Sequence, residues 1–242
     1  MQTLNFDNQV IWFDESLISQ EQVKCAFDAE YWQQQDKIIG SATGRGTTWF
    51  VELDTIQAAL RHYRRGGLFS KLVKDSYLYF GDEKTRSYQE FELLKVLKKS
   101  GVNVPKPIAA RVVRNGVTYQ ADLLSEKIPN ARDLVAILEE QSLSDSTYYA
   151  IGVEIAKMHK AQVNHTDLNI HNILIDVDDR VWVIDFDKCH VKQGEEWKKN
   201  NLDRLLRSFH KEMDKNSIYW EENCFEYIVS SYQEAIGFDK LS

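Results

Sequence analysis

The sequence predicts an α+β protein of two lobes, the first an antiparallel β-sheet with one main helix and the second mostly helical. Strand-like hairpin patterns occupy 47–63 and 104–128, and helical periodicity dominates after residue 129. The change falls at Pro129, one of only three prolines, where an apolar strand ends and a helix begins. We therefore expect a β-rich lobe at residues 1–125 and a helical lobe at 126–242.

The first lobe is predicted from two hairpins and a helix. Residues 47–53 and 56–63 alternate like paired strands around a short turn, and a second hairpin turns at Asn115–Gly116. The apolar periodicity of residues 85–101 predicts the helix, and Gly101 is expected to end it. Its apolar stripe consists of Phe91, Leu94 and Leu97.

The second lobe is predicted mainly from helical periodicity. A long helix should begin near residue 144, with Ser144 or Asp145 as its N-cap. The predicted elements are helices at 131–141 and 144–161, strands at 172–176 and 180–186, and two helices after about residue 195. The two strands are joined by an acidic turn, so they should form a small hairpin.

The composition narrows the function classes. Hydrophobic residues make up 43% of the 242 residues, which is enough for a packed core. The net charge of −7 argues against a dedicated nucleic-acid binder. The three cysteines are widely spaced and indicate neither a zinc site nor a disulfide framework. We find no signal peptide and no apolar run of membrane-spanning length, so we expect a protein that is cytoplasmic or at most peripheral to a membrane.

Positive charge is concentrated in one stretch. Residues 61–111 carry twelve Lys and Arg against five Asp and Glu. The stretch could be an ordinary solvated face, or it could bind phosphates or an anionic membrane. Within it, the basic residues that mix with Leu68 and Phe69 are the candidates for contact with a substrate or a membrane. These are Arg64, Arg65, Lys71 and Lys74.

The strongest chemical signal lies between residues 165 and 187. His165 and Asp167 are followed five positions later by Asn172, and then, after the predicted hairpin, by Asp185. Phosphoryl transfer needs a base beside the attacking hydroxyl and hard oxygen ligands for Mg²⁺. Asp167 is placed to accept the hydroxyl proton, and Asn172 and Asp185 to coordinate the metal. Any one of these residues alone would be weak evidence, but all three in order form a specific pattern.

This pattern resembles the catalytic and metal-binding loops of the protein-kinase-like superfamily. The resemblance implies a bilobal kinase fold that uses ATP and Mg²⁺. It also implies that His165 supports the catalytic loop and that Phe186 packs beneath Asp185.

The first lobe contains a segment that looks like the family's glycine-rich loop. Gly44 and Gly46 are followed by Val51, so all three are candidate nucleotide contacts, although Trp49 replaces the third glycine. Glycines let backbone N–H groups approach phosphates closely. By itself the segment could be an ordinary turn.

The next strand should supply a cation for the nucleotide phosphates. Arg61 stands where most family members have Lys, and Arg can also bind phosphate. Glu90, on the predicted helix, would be its partner, unless it is a solvent-facing charge. His62 and Arg64 are close enough to take the place of Arg61. Glu126 lies in the segment that would hold adenine.

Three departures separate the chain from protein kinases. Asp187 replaces the glycine of the Asp-Phe-Gly motif, no Ala-Pro-Glu motif follows, and no room is left for an activation loop. The chain resembles the 3-deoxy-D-manno-octulosonic acid (Kdo) kinases of Gram-negative lipopolysaccharide assembly almost end to end. The segments that carry this resemblance are 60–67, 77–94, 104–112, 122–134, 165–176 and 201–208.

The resemblance implies transfer of the ATP γ-phosphate to the 4-hydroxyl of Kdo on a lipid A precursor, at the cytoplasmic face of the inner membrane. The implied partners are ATP, the Kdo-bearing lipid and an anionic membrane surface, with no nucleic acid and no protein partner. Alternatives remain: another small-molecule kinase acting on an aminoglycoside, an aminated sugar or choline, an atypical protein kinase, or a pseudokinase scaffold.

Overall fold

The computed structural model describes residues 1–44, 46–64 and 75–237. It divides into two compact units, Met1–Glu92 with Lys106–Ile128, and Leu93–Pro105 with Pro129–Ser242. The units therefore change at 128/129, close to the predicted boundary, but residues 93–105 belong with the second unit. The assignment of residues 1–125 and 126–242 to a nucleotide-binding and a catalytic lobe stays a prediction.

The first unit is built on an antiparallel sheet. Its strands are β1 (Gln2–Phe6), β2 (Gln9–Phe13), β3 (Ile38–Thr43), β4 (Thr47–Glu52), β5 (Gln57–His62), β6 (Tyr77–Leu78), β7 (Pro107–Asn115) and β8 (Thr118–Glu126). They are ordered β1-β2-β7-β8-β5-β4-β3, with β6 beside β8. Both predicted hairpins, β4–β5 and β7–β8, are confirmed. Gly116 has φ +60°, which suits the tight turn between β7 and β8.

The N-terminal segment, which the sequence patterns did not predict, adds β1 and β2 to the sheet. It also covers one face of the sheet with the short helices α1 (Gln20–Val23) and α2 (Ala29–Gln34). Trp32 is fully buried, packs in one core cluster with Ile11, Phe13 and Val51, and donates its indole N–H to the Ala26 carbonyl at 2.8 Å. This segment gives the sheet a core on that face.

The opposite face carries helix α3 (Arg86–Lys99), which confirms the predicted helix. Trp12 alternates with Ile11 and Phe13 along β2 and so points to the other side, where its ring meets Tyr88 edge-on at 4.7 Å. The helix ends as expected, because Gly101 adopts φ +76°.

The second unit is mostly helical. Its helices are α4 (Leu134–Leu138), α5 (Asp145–Lys160), α6 (Glu196–Asn216) and α7 (Cys224–Ile236), and its short strands are β9 (Arg132–Asp133), β10 (Val163–Asn164), β11 (Ile173–Ile175), β12 (Val181–Val183) and β13 (His190–Val191). Ser144 is the N-cap of α5 and accepts from the Thr147 N–H.

Helices α5 and α7 pack closely at Gly152. A Cβ atom there would lie 2.2 Å from the Ile228 carbonyl oxygen, so only glycine fits without moving a helix. None of the helices in the described part of the chain combines the length and apolar character needed to cross a bilayer.

Candidate active site

The loop at residues 165–172 is held by a buried histidine. His165 has no solvent exposure, and burial lowers the pKa of its imidazole, which keeps the ring neutral. Its Nδ1 accepts the Asp167 N–H at 3.3 Å, so Nε2 carries the proton and donates to the Ile184 carbonyl at 3.0 Å. The ring also packs against Phe186, with centroids 4.9 Å apart. His165 thus connects the Asp167 loop to the segment leading into Asp185.

Asn172 makes a second connection. Its side-chain Nδ2 donates to the Asp167 carbonyl at 3.0 Å, and its backbone carbonyl accepts the Ile184 N–H at 3.0 Å. The carbonyl of Asp167 also accepts from Asn169 Nδ2 at 2.8 Å. These links bring Asp167, Asn172 and the residue before Asp185 into one region. The side chains of Asp167 and Asp185 are exposed while their supports are buried, as a reacting site requires.

The turn at Asp185 explains one departure from the protein-kinase pattern. Asp185 and Lys188 adopt the left-handed conformation, with φ +62° and +64°. Non-glycine residues rarely take this conformation, and it is often found at functional sites. Asp187 is not among the residues with positive φ, so the backbone needs no glycine at that position.

A divalent cation fits the oxygens of this region. Because Asn172 Nδ2 is used on Asp167, the atom left to serve as a ligand is Oδ1, and Asp185 adds a carboxylate. Both are hard oxygens of the kind Mg²⁺ prefers. Within residues 1–44, 46–64 and 75–237, no cluster of three His, Cys, Asp or Glu could hold a metal. A magnesium ion here would therefore depend on nucleotide phosphates for its other ligands.

Asn201 of α6 braces the start of the loop, and the sequence patterns did not single it out. Its Oδ1 accepts the His165 N–H at 3.2 Å, and its Nδ2 donates to Asn164 Oδ1 at 2.9 Å. The same Oδ1 lies 3.3 Å from His159 Nε2, while His159 Nδ1 accepts from the Tyr232 hydroxyl at 2.8 Å. Burial lowers the pKa of His159 to about 3, so the ring is neutral and Nε2 donates to Asn201.

The first unit contains a partly buried ion pair at the predicted phosphate-binding position. Arg61 Nη2 lies 2.5 Å from Glu90 Oε2, and the Tyr63 hydroxyl donates to the same oxygen at 2.5 Å. Glu90 is only 4% exposed, so it is not a solvent-facing charge. The Arg61 guanidinium also lies over the Tyr63 ring, 4.9 Å from its centroid. Glu90 therefore fixes the direction of a cation on this face of the sheet.

His62 belongs to the other face of the sheet. Successive side chains of a strand alternate, and His62 Nδ1 lies 2.7 Å from Asp122 while Nε2 lies 3.1 Å from Asp75. Hydrogen bonding to Asp122, helped by Asp75, raises the pKa of His62. Both ring nitrogens of His62 thus interact with these carboxylates, which disfavours His62 as a substitute for Arg61 in phosphate binding.

The glycine-rich segment forms the turn between β3 and β4. The Gly44 N–H donates to the Gly46 carbonyl at 2.9 Å. A Cβ atom on Gly46 would lie 2.8 Å from Cδ and Nε of Arg64, so Arg64 packs directly on this turn. Gly44 has open space around it, so its own surroundings do not demand glycine.

Val51, the third candidate of this segment, does not lie on the face of the sheet that carries Arg61. Val51 is fully buried in the core beneath the N-terminal segment, opposite Ala58. Strand alternation instead places Phe50, paired with Ala59, on the face of Arg61. Motif spacing alone does not fix which of these neighbouring residues shares the face of Arg61 when the third glycine is missing.

The remaining candidates are Glu126 and the acceptor or membrane residues. Glu126 lies at the end of β8, where its N–H donates to the Lys106 carbonyl at 2.8 Å and its carboxylate accepts the Lys106 N–H at 2.9 Å. A backbone contact from Glu126 to adenine would thus have to use its carbonyl oxygen. Three of the four acceptor or membrane candidates, Arg65, Lys71 and Lys74, lie outside the described residues.

Comparisons with known proteins agree on one family. The family model "Lipopolysaccharide kinase (Kdo/WaaP) family" matches residues 29–232. A "3-deoxy-D-manno-octulosonic acid kinase" of Vibrio parahaemolyticus serotype O3:K6 (strain RIMD 2210633) is 65% identical over 93% of this chain and 94% of its own. The protein of the same name from Haemophilus influenzae (strain PittEE) is 46% identical over 97% of this chain and 100% of its own.

A solved structure supports the fold. "WaaP in complex with acyl carrier protein" has a TM-score of 0.58 and 15% identity, covering 90% of this chain and 88% of its own, and so shows the kinase-like α+β fold alone. That complex does not fit our expectation of no protein partner. From the family model and the two relatives, this chain belongs to the lipopolysaccharide kinase (Kdo/WaaP) family.

Proposed function

We propose that this chain is an ATP-dependent kinase that phosphorylates the 4-hydroxyl of Kdo on a lipid A precursor. The observation that carries the proposal is the clamped loop in which His165 and Asn172 hold the backbone of Asp167 while its carboxylate stays exposed. The high identity to relatives named as Kdo kinases supports the choice of acceptor.

Asp167 is the proposed general base. Its carboxylate takes the proton of the acceptor hydroxyl as the bond from that oxygen to the γ-phosphorus forms, the bond to the β–γ bridging oxygen breaks, and ADP leaves. Asn172 and Asp185 would hold Mg²⁺, which supplies neutralisation of phosphate charge. His165 and Asn201 position the loop and do not touch the reacting atoms.

The residues of the first unit have proposed roles toward the nucleotide. Arg61, oriented by Glu90, binds phosphate oxygens. Since the Gly44 N–H is used within the turn, the Gly46 N–H is the backbone group proposed to contact phosphate there. Phe50, in place of Val51, and Glu126 are proposed to contact the adenosine. Residues 1–125 would then form the nucleotide-binding lobe and residues 126–242 the catalytic lobe.

A lipid-linked acceptor also suggests a place in the cell. We propose that the protein works as a peripheral protein at the cytoplasmic face of the inner membrane, where it meets ATP and an anionic lipid surface. Arg64, with Arg65, Lys71 and Lys74, remains a proposed contact for that surface.

The function is tested by mass spectrometry of acceptors after incubation with the purified chain, ATP and Mg²⁺. A Kdo-bearing lipid A precursor should gain one phosphate, while aminoglycosides, choline and a general protein substrate should not. Phosphorylation of one of the other acceptors, with the Kdo lipid unchanged, would reject the proposal.

A further inference from the structure

Helix α6 runs beside the proposed catalytic loop and contacts it at four positions. Asn201 binds the backbone at His165, and Ser208 Oγ accepts the Ile170 N–H at 3.1 Å. Between them, Arg204 Nη1 lies 3.3 Å from Asp167 Oδ1, and one turn beyond Ser208 the Glu212 carboxylate lies 3.2 Å from His171 Nε2. Since α-helical residues turn by roughly 100° each, these four positions share one side of the helix.

The solvent side of this helix next to the loop is basic. Arg204, Arg207 and Lys211 are exposed and fall within an arc of roughly 60°. The acidic residues of the helix beside these positions, Asp203, Glu212 and Asp214, lie outside that arc. We call Arg204, Arg207 and Lys211 the basic face of α6.

Stability alone does not account for the contact between Arg204 and Asp167. Both side chains are about half exposed, at 47% and 56%, and an exposed ion pair of this kind contributes little to folding. The contact uses one N–H of a guanidinium that has five, so the rest of the fork can bind an anion beside the base. Lys211 lies about 10 Å further along the helix axis, at the 1.5 Å rise per residue of an α-helix.

We propose that the basic face of α6 binds the anionic groups of the acceptor. Arg204 binds the acidic group nearest to the reacting hydroxyl, and Arg207 and Lys211 bind phosphate groups carried on the acceptor's sugar backbone. This inference rests on the proposed function, because it takes Asp167 to mark the acceptor side. It assigns the phosphate contacts to the acceptor and not to free membrane lipid.

The test measures equilibrium binding of deacylated, water-soluble Kdo-bearing disaccharides, one with its phosphates and one without, to the full chain. Removal of the acyl chains excludes binding through a membrane. The wild type should prefer the phosphorylated compound, and Arg207→Ala with Lys211→Ala should remove roughly tenfold of that preference. Lys199→Ala, an exposed cation on another side of α6, is the matched control and should change binding less than about twofold.

Arg204 is tested separately by kinetics. Arg204→Ala should raise the KM for the acceptor without changing the KM for ATP, and Arg204→Lys should restore only part of the loss, because an ammonium lacks the planar fork. Circular dichroism melting checks that the variants fold.

Equal loss of binding to both disaccharides, no loss in the double variant, or no binding of either compound by the wild type would overturn the inference. If the wild type formed no phosphorylated Kdo while the variants still lost phosphate-dependent binding, the proposed function would fail and the binding surface would stand.

Discussion

The buried imidazole of His159 should make the stability of the second unit depend on pH. His159 is fully buried and connects Tyr232 to Asn201, which in turn braces the loop at His165. Protonation would place an uncompensated charge in this network. The perturbation is a change from pH 7 to pH 5, compared between the wild type and His159→Gln.

The direction and the size of this change in stability follow from the pKa of His159. Folding lowers the pKa of His159 from 6.5 to about 3, so the unfolded chain binds more protons than the folded one between these values. Stability from the neutral ring is therefore present above pH 6.5 and decreases as the pH falls toward 3. Between pH 7 and pH 5 the loss is about 2 kcal/mol, a value insensitive to the folded pKa as long as it lies well below 5.

The assay is urea unfolding followed by far-ultraviolet circular dichroism at pH 7, 6 and 5. The His159→Gln variant should lose about 2 kcal/mol less than the wild type over this range. His165 contributes in the same direction in both proteins, since burial lowers its pKa too. His190→Gln, at an exposed position, is the control and should follow the wild type. If the free energy of unfolding had the same pH dependence in the wild type and in His159→Gln, the conclusion that His159 is buried in its neutral form would be refuted.

Substitutions at three positions test the proposed nucleotide site. Asp185→Asn should melt like the wild type without ligand, because Asn tolerates the left-handed conformation, but should lose the thermal shift produced by Mg-ATP; a retained shift would contradict the metal role. Arg61→Ala should raise the KM for ATP by roughly tenfold or more, and Arg61→Lys should recover part of it in steady-state assays; equal effects would argue against a role of the charge. Phe50→Ala should weaken nucleotide binding measured by calorimetry, and an unchanged affinity would count against a contact on that face.

Local patterns predicted much of the second unit. Ser144 caps α5 where a capping residue precedes the periodic run, and the spacing from His165 to Asn172 defines a loop closed by its own hydrogen bonds. Such features depend on neighbours along the chain, so they can be read from sequence. The Arg61–Glu90 pair was predicted for another reason, because the resemblance to the protein-kinase-like superfamily assigned a cation to this strand and its partner to the following helix.

Features that depend on tertiary contacts were not predictable in the same way. The N-terminal segment buries Trp32 against strands distant in sequence, and nothing in its own pattern indicates which surface it covers. Phe50 and Val51 lie on opposite faces of the sheet, but which of them shares the face of Arg61 could be assigned only once the register between β4 and β5 was known. Asn201 lies among polar residues of α6. Its hydrogen bonds to His165 and Asn164 are tertiary contacts, which the periodicity of the helix sequence does not reveal.

The most direct test of the account is phosphorus–proton correlation NMR on the product formed from a Kdo-bearing lipid A precursor. The proposed reaction predicts a coupling from the new phosphorus to the proton on C4 of Kdo, with product formed at least roughly 100-fold more slowly by Asp167→Asn. Coupling to another position, or product formed by Asp167→Asn at the wild-type rate, would contradict the account.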